Sequence, residues 1–186
     1  LSSLQEVTGD VYLIDNFTLT QLDGLSQLLS VGGNLSVWNN QALLSLEGLS
    51  GLTEVGGWLT FEDNVVLNGI DGLVNLTSVG GKLVMRANDS ITNIDGLSSL
   101  SAVGDALEIT HVDALTNLDG LASLSSIGGF FEIGYADALP DFNGLSGLSS
   151  VGGNVYLHDL DILTTLDRLS SLTALTGYLK ISNTKA

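Results

Sequence analysis

The stretch from Asp71 to Gly81, which reads DGLVNLTSVGG, decides the fold because the chain repeats it with small changes every 24 residues. It contains an Asp-Gly-Leu triplet and a Gly-Gly pair. The triplet or a close variant begins at residues 23, 47, 71, 95, 119, 143 and 167, and the pair stands at residues 32–33, 56–57, 80–81, 128–129 and 152–153. A fixed period of this length indicates a solenoid, in which each unit buries its apolar side only against its neighbours.

The unbroken period predicts a single repeat domain over residues 1–186. We expect a β-solenoid, a right-handed stack of about eight coils of the leucine-rich-repeat or parallel β-helix kind. Each coil is predicted to hold one short parallel strand and one short helical turn. Because Leu1 falls in the middle of a repeat and neither end has an evident polar cap, we expect a segment of a longer array or of a larger surface protein.

Alternation of apolar and outward-facing residues predicts the strand. In the second coil, Leu35 and Val37 alternate with Asn34, Ser36 and Trp38, a period of two that marks a strand with one side turned inward. Both inward positions are apolar in all eight coils: Val11, Leu35, Leu59, Leu83, Leu107, Phe131, Val155 and Leu179, then Leu13, Val37, Phe61, Met85, Ile109, Ile133, Leu157 and Ile181. Leucines after each triplet are expected to form the opposite wall of the core.

Two polar columns are given structural roles. An asparagine column is expected to hydrogen-bond the turn after the strand, and the turn must be rebuilt where this column changes to Val112, Ala136 and Leu160. The carboxylates that open the triplets, such as Asp23 and Glu47, are expected to cap the helical turn. The asparagines are Asn16, Asn40, Asn64 and Asn88.

Two phrases of the repeat, LTSVGGKLVM at residues 76–85 and LSSLSAVGDALEI at residues 97–109, resemble the leucine-rich repeats of receptor L domains. The resemblance covers the whole chain. This array is more regular than the receptor domains and lacks their cysteines, so it is closer in character to the related repeats of microbial surface and adhesion proteins. The resemblance implies protein binding or cell adhesion at an extracellular or cell-surface location, although a fold does not determine a function.

Composition excludes several classes of function. Acidic residues outnumber basic ones 21 to 5, for a formal net charge of −16. Phosphate binding needs clustered cations, so no nucleic-acid partner is predicted, and an anionic membrane surface would repel the chain. No run reaches the roughly 20 apolar residues of a membrane span, so no membrane insertion is predicted. The chain has no cysteine for a disulfide or a thiolate zinc site, and neither a cofactor nor a metal site is predicted.

Four outward columns break the repeat and carry the functional signal. They begin at Asp10, Tyr12, Ile14 and Asp15 and recur every 24 residues; we call the surface they form the variable face. It holds both tryptophans, all four tyrosines, both histidines and three of the five basic residues. β-Forming residues and simple cross-strand pairs would explain some of this pattern. A purely structural surface would repeat as the core does, however, and exposed Tyr, Trp and Arg on a rigid sheet are typical of recognition surfaces.

The leading hypothesis is a non-catalytic recognition or adhesion module, working outside the cell or at its surface. Its partner would be a protein, peptide or glycan ligand on a cell surface, bound through the variable face. The candidate binding residues are Tyr12, Trp38, Trp58, Glu62, Lys82, Arg86, Glu108, His111, Phe130, Glu132, Tyr135, Tyr156, His158 and Tyr178.

An enzymatic alternative rests on Glu108 and Glu132. They are neighbours in one column, and their carboxyl groups would approach the roughly 5 Å separation of a retaining glycosidase pair, with His111 close by. The opposing interpretation is an exposed pair of like charges, which an acidic chain produces by chance.

A calcium-stabilised repeat is a further alternative. One turn column is made of Asp89, Asp113, Asp137 and Asp161, and calcium prefers hard oxygen ligands. The column does not offer six to eight converging oxygens, so turn formation is the opposing interpretation.

Ice binding is the last alternative, since a regular solenoid can present a flat threonine array. Leu44, Asn68 and Pro140 interrupt that column, whose threonines are Thr20, Thr92, Thr116 and Thr164.

Overall fold

The computed structural model describes residues 1–185, which form eight stacked coils with two strands each. The two-residue strands are Glu6–Val7, Ser30–Val31, Glu54–Val55, Ser78–Val79, Ala102–Val103, Ser126–Ile127, Ser150–Val151 and Ala174–Leu175. The four-residue strands are Val11–Ile14, Leu35–Trp38, Leu59–Glu62, Leu83–Arg86, Leu107–Thr110, Phe131–Gly134, Val155–His158 and Leu179–Ser182. Short 3₁₀ turns occupy Asp23–Leu25, Glu47–Leu49, Asp71–Leu73, Asp95–Leu97, Asp119–Leu121 and Asp167–Leu169. Within residues 1–185, no helix is long and apolar enough to cross a membrane.

The strands form two eight-stranded sheets in which every pairing is parallel. Pairing joins equivalent positions of adjacent coils, as Leu107 pairs with Phe131 in the long-strand sheet and Ile127 with Val151 in the short-strand sheet. These sheets confirm the predicted β-solenoid.

The second strand of each coil is an addition to the predicted single strand. The β-branched residues before the glycine pair, such as Val31 and Val55, end the short strands. Two residues are too few to show the alternation by which a strand is recognised in a sequence. β-Branched side chains favour an extended backbone, and the coils above and below supply its pairing partners.

The core runs through the whole stack, and each coil is buried by the coils on both sides of it. Ile109, in the interior of the stack, is 0% exposed, whereas the equivalent Ile181 in the last coil is 40% exposed because only one coil covers it. The two inward columns of the long strands and the leucines after the triplets are therefore the two walls of one core, as the sequence predicts.

The glycine of the triplet allows adjacent coils to approach closely. A Cβ atom on Gly96 would lie 1.9 Å from the backbone oxygen of Ile70 in the preceding coil. Gly24, at the same position in the first coil, would meet nothing within 4 Å. The triplet is therefore a packing element between coils.

The asparagine column forms the predicted ladder along the turn. Asn64 donates from Nδ2 to the carbonyl of Val37 at 2.9 Å, and its Oδ1 accepts the backbone N–H of Asn40 at 3.0 Å. Where the column changes to valine in the next coil, the N–H of Asn88 donates to the carbonyl of His111 at 3.2 Å. Backbone groups thus rebuild the turn without the amide side chain.

The carboxylates that open the triplets do not cap the 3₁₀ turns, so this prediction is wrong. The N-cap position is occupied by leucine or isoleucine, which makes no side-chain hydrogen bond. The carboxylate residue already lies inside the turn, and its own N–H needs an acceptor. Asn93 accepts from the N–H of Asp95, and Asn117 from that of Asp119, each at 3.1 Å. The stabilising side chain stands two residues earlier than predicted.

Candidate functional site

The variable face lies on the outer side of the long-strand sheet, where strand pairing brings its columns together. Glu108 pairs with Glu132 and Glu132 with Tyr156, so residues 24 apart in the chain are lateral neighbours. Large aromatic side chains remain accessible there: Trp38 is 42% exposed, Trp58 50%, Tyr135 42% and Tyr178 55%. The predicted candidate residues therefore share one surface.

A first cluster on this face is built around the Lys82 ammonium group. Its Nζ lies 5.2 Å from the ring centroid of Trp58 and 5.8 Å from that of Phe130, both within cation–π range. These side chains cover the sheet between them, since the outward-facing Val84 is 7% exposed and Ala106 is 0% exposed. The cluster is thus packed against the sheet.

Charged partners hold side chains of the outward column that begins at Ile14. Arg86 lies between two carboxylates, with Nη1 3.8 Å from Oε2 of Glu62 and Nη2 hydrogen-bonded to Glu108. The hydrogen bond with Glu108 raises the pKa of Arg86. The indole Nε1 of Trp38 donates to Oδ2 of Asp63 at 2.8 Å, which sets the orientation of that ring.

A second cluster forms where the coils of residues 111, 135 and 158 meet. The rings of His111 and Tyr135 stack with centroids 4.3 Å apart, and His158 meets Tyr135 edge-on at 5.3 Å. Nε2 of His158 lies 2.9 Å from Oε1 of Glu132, and Nδ1 lies 2.9 Å from Oδ2 of Asp159. One imidazole therefore joins two carboxylates from different coils.

The ionisation of His158 follows from these contacts. Burial lowers its pKa, but the hydrogen bonds to Glu132 and Asp159 outweigh that effect and the net shift is upward. The hydrogen bond from His158 in turn lowers the pKa of Asp159. Carboxylates only accept hydrogen bonds, so the doubly protonated imidazolium is the form that satisfies both contacts.

Tyr135 stands in an unusual backbone conformation. The residue after each long strand has a positive φ, between 51° and 58°. Asparagine or aspartate fills five of these eight positions and tolerates the left-handed region, whereas Ala87, His111 and Tyr135 are the exceptions. A bulky tyrosine is the least suited of these residues, and it lies at the centre of the second cluster.

Tyrosine hydroxyls extend the second cluster toward the last coil. The Tyr156 hydroxyl lies 2.9 Å from that of Tyr178 and accepts a hydrogen bond from Nδ2 of Asn154 at 2.8 Å. The hydrogen bond with Tyr156 raises the pKa of Tyr178. Phe130 meets Tyr156 edge-on at a centroid distance of 6.2 Å, which links the two clusters.

A cleft of about 320 Å³ opens beside the second cluster. Of its lining residues, the sequence analysis named Glu132, Tyr135, Tyr156 and His158 and missed the rest. The missed residues belong to the variable face, and their polarity alone did not separate them from other exposed residues. They are Asp159, Lys180, Ser182 and Asn183.

Tyr12 belongs to neither cluster. Its strand neighbour is Ser36, and its hydroxyl donates to Oδ2 of Asp10 at 2.9 Å. The hydrogen bond from the backbone N–H of Asn34 lowers the pKa of Asp10, and the bond from the Tyr12 hydroxyl lowers it further.

The geometry gives the enzymatic alternative no support. Glu108 and Glu132 are neighbours, as expected, but Arg86 binds the first and His158 binds the second. Each carboxylate is therefore held by its own charged partner.

The calcium and ice-binding alternatives gain no geometric support either. Within residues 1–185, no three His, Cys, Asp or Glu side chains converge to hold a metal ion. Burial and the nearby Asp137 and Asp89 raise the pKa of Asp113. In the threonine column, the hydroxyls of Thr116 and Thr164 donate to backbone carbonyls of the preceding coil, so they do not present a free array.

Comparison of the chain with protein-family models, with curated proteins and with solved structures finds no match. The fold and its surface define the chain as a solenoid repeat protein with a 24-residue period.

Proposed function

We propose that this solenoid is a non-catalytic recognition or adhesion module that binds a protein, peptide or glycan through its variable face. It would work outside the cell or at its surface, as the likeness of its repeats to those of receptor L domains and microbial surface proteins suggests. The observation that carries the proposal is the contrast between columns. In the core, asparagine and glycine columns, similar residues recur every 24 residues. On the variable face the residues differ from coil to coil and form packed aromatic and charged clusters.

Tyr135 is the strongest single support. Holding a tyrosine in the left-handed region costs roughly 1 kcal/mol, and the equivalent Asn39 and Asn183 show that the fold has a better-suited alternative. Backbone strain of this kind occurs often at binding sites, where the side chain has a use that offsets it.

The clusters also have the properties of binding anchors. Trp58, Tyr135 and Tyr178 expose large ring surfaces, while stacking, cation–π contacts or hydrogen bonds restrict their rotation. Side chains that are already ordered lose little entropy on binding, so more of the contact energy appears as affinity.

Charge distribution favours contact through the same surface. The variable face carries three of the five basic residues but only seven of the 21 acidic ones. The rest of the chain carries −12 of the net charge of −16, which keeps molecules apart and opposes non-specific association.

The test is a screen of the purified chain against an oligosaccharide array and whole microbial cells. The Trp38→Ala, Trp58→Ala double variant should lose most of the binding that the parent shows. The matched control is Phe17→Ala with Leu44→Ala, which removes exposed apolar side chains of similar accessibility outside the variable face. Equal binding by parent and tryptophan variant, or equal losses in the two double variants, would reject the proposal.

A further inference from the structure

We infer that the cleft lined by Glu132, Tyr135, Tyr156, His158, Asp159 and Lys180 binds one residue of a neutral glycan. This inference rests on the proposed function and names the class of ligand. Its basis is the combination of charge balance, fixed polar groups and exposed ring surface in a single recess.

The cleft is electrically balanced in a strongly acidic protein. Its titratable groups are the carboxylates of Glu132 and Asp159, the imidazole of His158 that bonds to both of them, and the ammonium of Lys180. With His158 protonated, the two positive charges match the two carboxylates, whereas the whole chain carries −16 with its histidines neutral. An anion gains nothing at this site and is repelled by the surrounding protein, while a cation finds both carboxylates already paired. The balance favours an uncharged ligand.

The polar groups are held in fixed positions with bonding capacity to spare. His158 holds one oxygen of each carboxylate, and Asn183 donates to the other oxygen of Asp159 at 3.1 Å. His158 engages only one oxygen of Glu132, and Ser182 also lines the cleft. Sugar hydroxyls both donate and accept, so they match a recess that offers donors and acceptors together.

Ring surface completes the site. Tyr135 is 42% exposed and its orientation is set by its contacts with His111 and His158. One face of the ring stacks on His111, so the exposed remainder of the ring is the surface that the C–H groups of a sugar would contact.

An extended peptide fits this recess less well. Peptides that join a sheet need an unpaired strand edge, but the backbone around the cleft, in strands 131–134, 155–158 and 179–182, is already paired within the sheet. A peptide would therefore depend on side-chain pockets alone, and the recess is a single small one.

Titration of the 186-residue chain, followed by NMR and calorimetry, tests the inference. The probes are neutral oligosaccharides of glucose, mannose, galactose and N-acetylglucosamine, compared with a uronic-acid oligosaccharide and a lysine-rich peptide. At least one neutral probe should bind and shift the amide signals of residues 132–135 and 156–159. The acidic oligosaccharide and the peptide should not bind there.

Two variants remove the cleft and keep the coil. Tyr135→Asn introduces the residue that Asn39 and Asn183 place at the equivalent position, and Gly134→Ala would displace the His158 ring. Each should weaken binding roughly tenfold or more, as expected for loss of a central contact. Asn68→Ala changes an exposed residue outside the variable face and should bind like the parent.

The outcomes separate this inference from the proposed function. Failure of every neutral probe, or binding that both cleft variants leave unchanged, overturns the glycan assignment. Binding of the peptide or of whole cells that still depends on Trp38 and Trp58 would then leave the recognition function standing. If binding also did not depend on Trp38 and Trp58, both the glycan assignment and the recognition function would be rejected.

Discussion

The imidazole of His158 occupies the space beside Gly134, its partner in the adjacent strand, where a Cβ atom would lie 2.2 Å from the ring Cε1. The sheet itself does not require glycine here, because Thr110 and Arg86 stand at the same position in the two preceding coils. Glycine instead leaves room for the ring that joins Glu132 to Asp159.

This bridge makes the stability of the chain depend on pH. The pKa of His158 is raised in the folded chain. The stability that the protonated imidazole adds is therefore fully present below the pKa of about 6.5 that histidine has in the unfolded chain, and it is lost as the pH rises through the folded pKa. We expect the unfolding free energy of the parent to exceed that of His158→Gln by more at about pH 5.5 than at about pH 8.5. Urea denaturation at both pH values measures this difference.

Gly134→Ala provides the companion variant, because it displaces the imidazole without removing a titratable group. Its pH dependence should resemble that of His158→Gln. If the difference in unfolding free energy between the parent and His158→Gln is the same at both pH values, the bridge is not formed in solution.

Ala87 occupies the left-handed position that asparagine or aspartate fills in most coils. We expect Ala87→Asn to raise the unfolding free energy by about 0.5–1 kcal/mol, since asparagine adopts this conformation at lower cost. Thermal and urea denaturation check the gain. Ala102→Asn, in a short strand and without a positive φ, is the control, and an equal gain there would contradict the explanation.

Loss of one member of the asparagine ladder should be strongly destabilising. Asn64→Ala leaves the buried N–H of Asn40 and the carbonyl of Val37 without their partner, at an expected cost of about 2–4 kcal/mol. Asn68→Ala changes an exposed asparagine four residues along and should cost little. Similar losses from the two substitutions, measured by urea denaturation, would refute a structural role for the ladder.

Close contact between coils predicts a difference between two glycines of the same column. A methyl group on Gly96 would collide with the backbone oxygen of Ile70, whereas one on Gly24 would meet open space. Gly96→Ala should therefore lower the melting temperature markedly, and Gly24→Ala should leave it nearly unchanged. If Gly96→Ala were tolerated equally well, the coils would be spaced more widely than described.

The period made the coil phase, both core walls and the asparagine ladder predictable, because each depends on residues that recur at equal spacing. The short strands were not predictable, since two residues carry no alternation. The misplaced cap has a different cause: the carboxylate of Asp95 is conspicuous, but its residue already lies inside the turn and Asn93 supplies the acceptor.

The candidate site was predictable as a surface but not as a set of contacts. Pairing at equal spacing places Glu132 and His158 in adjacent coils, whereas their hydrogen bond depends on a side-chain orientation that Gly134 makes possible. Lys180 and Asp159 complete the charge balance of the cleft, and only the three-dimensional arrangement shows it.

Site-directed blocking tests the recognition function most directly, because the chain has no cysteine and a single introduced thiol can be labelled selectively. A bulky polyethylene glycol maleimide would be attached at Thr60→Cys on the variable face or at Ser126→Cys on the short-strand sheet. Binding to the oligosaccharide array and to whole cells should be abolished by the label at residue 60 and kept with the label at residue 126. Binding that survives the first label and is lost with the second would contradict recognition through the variable face.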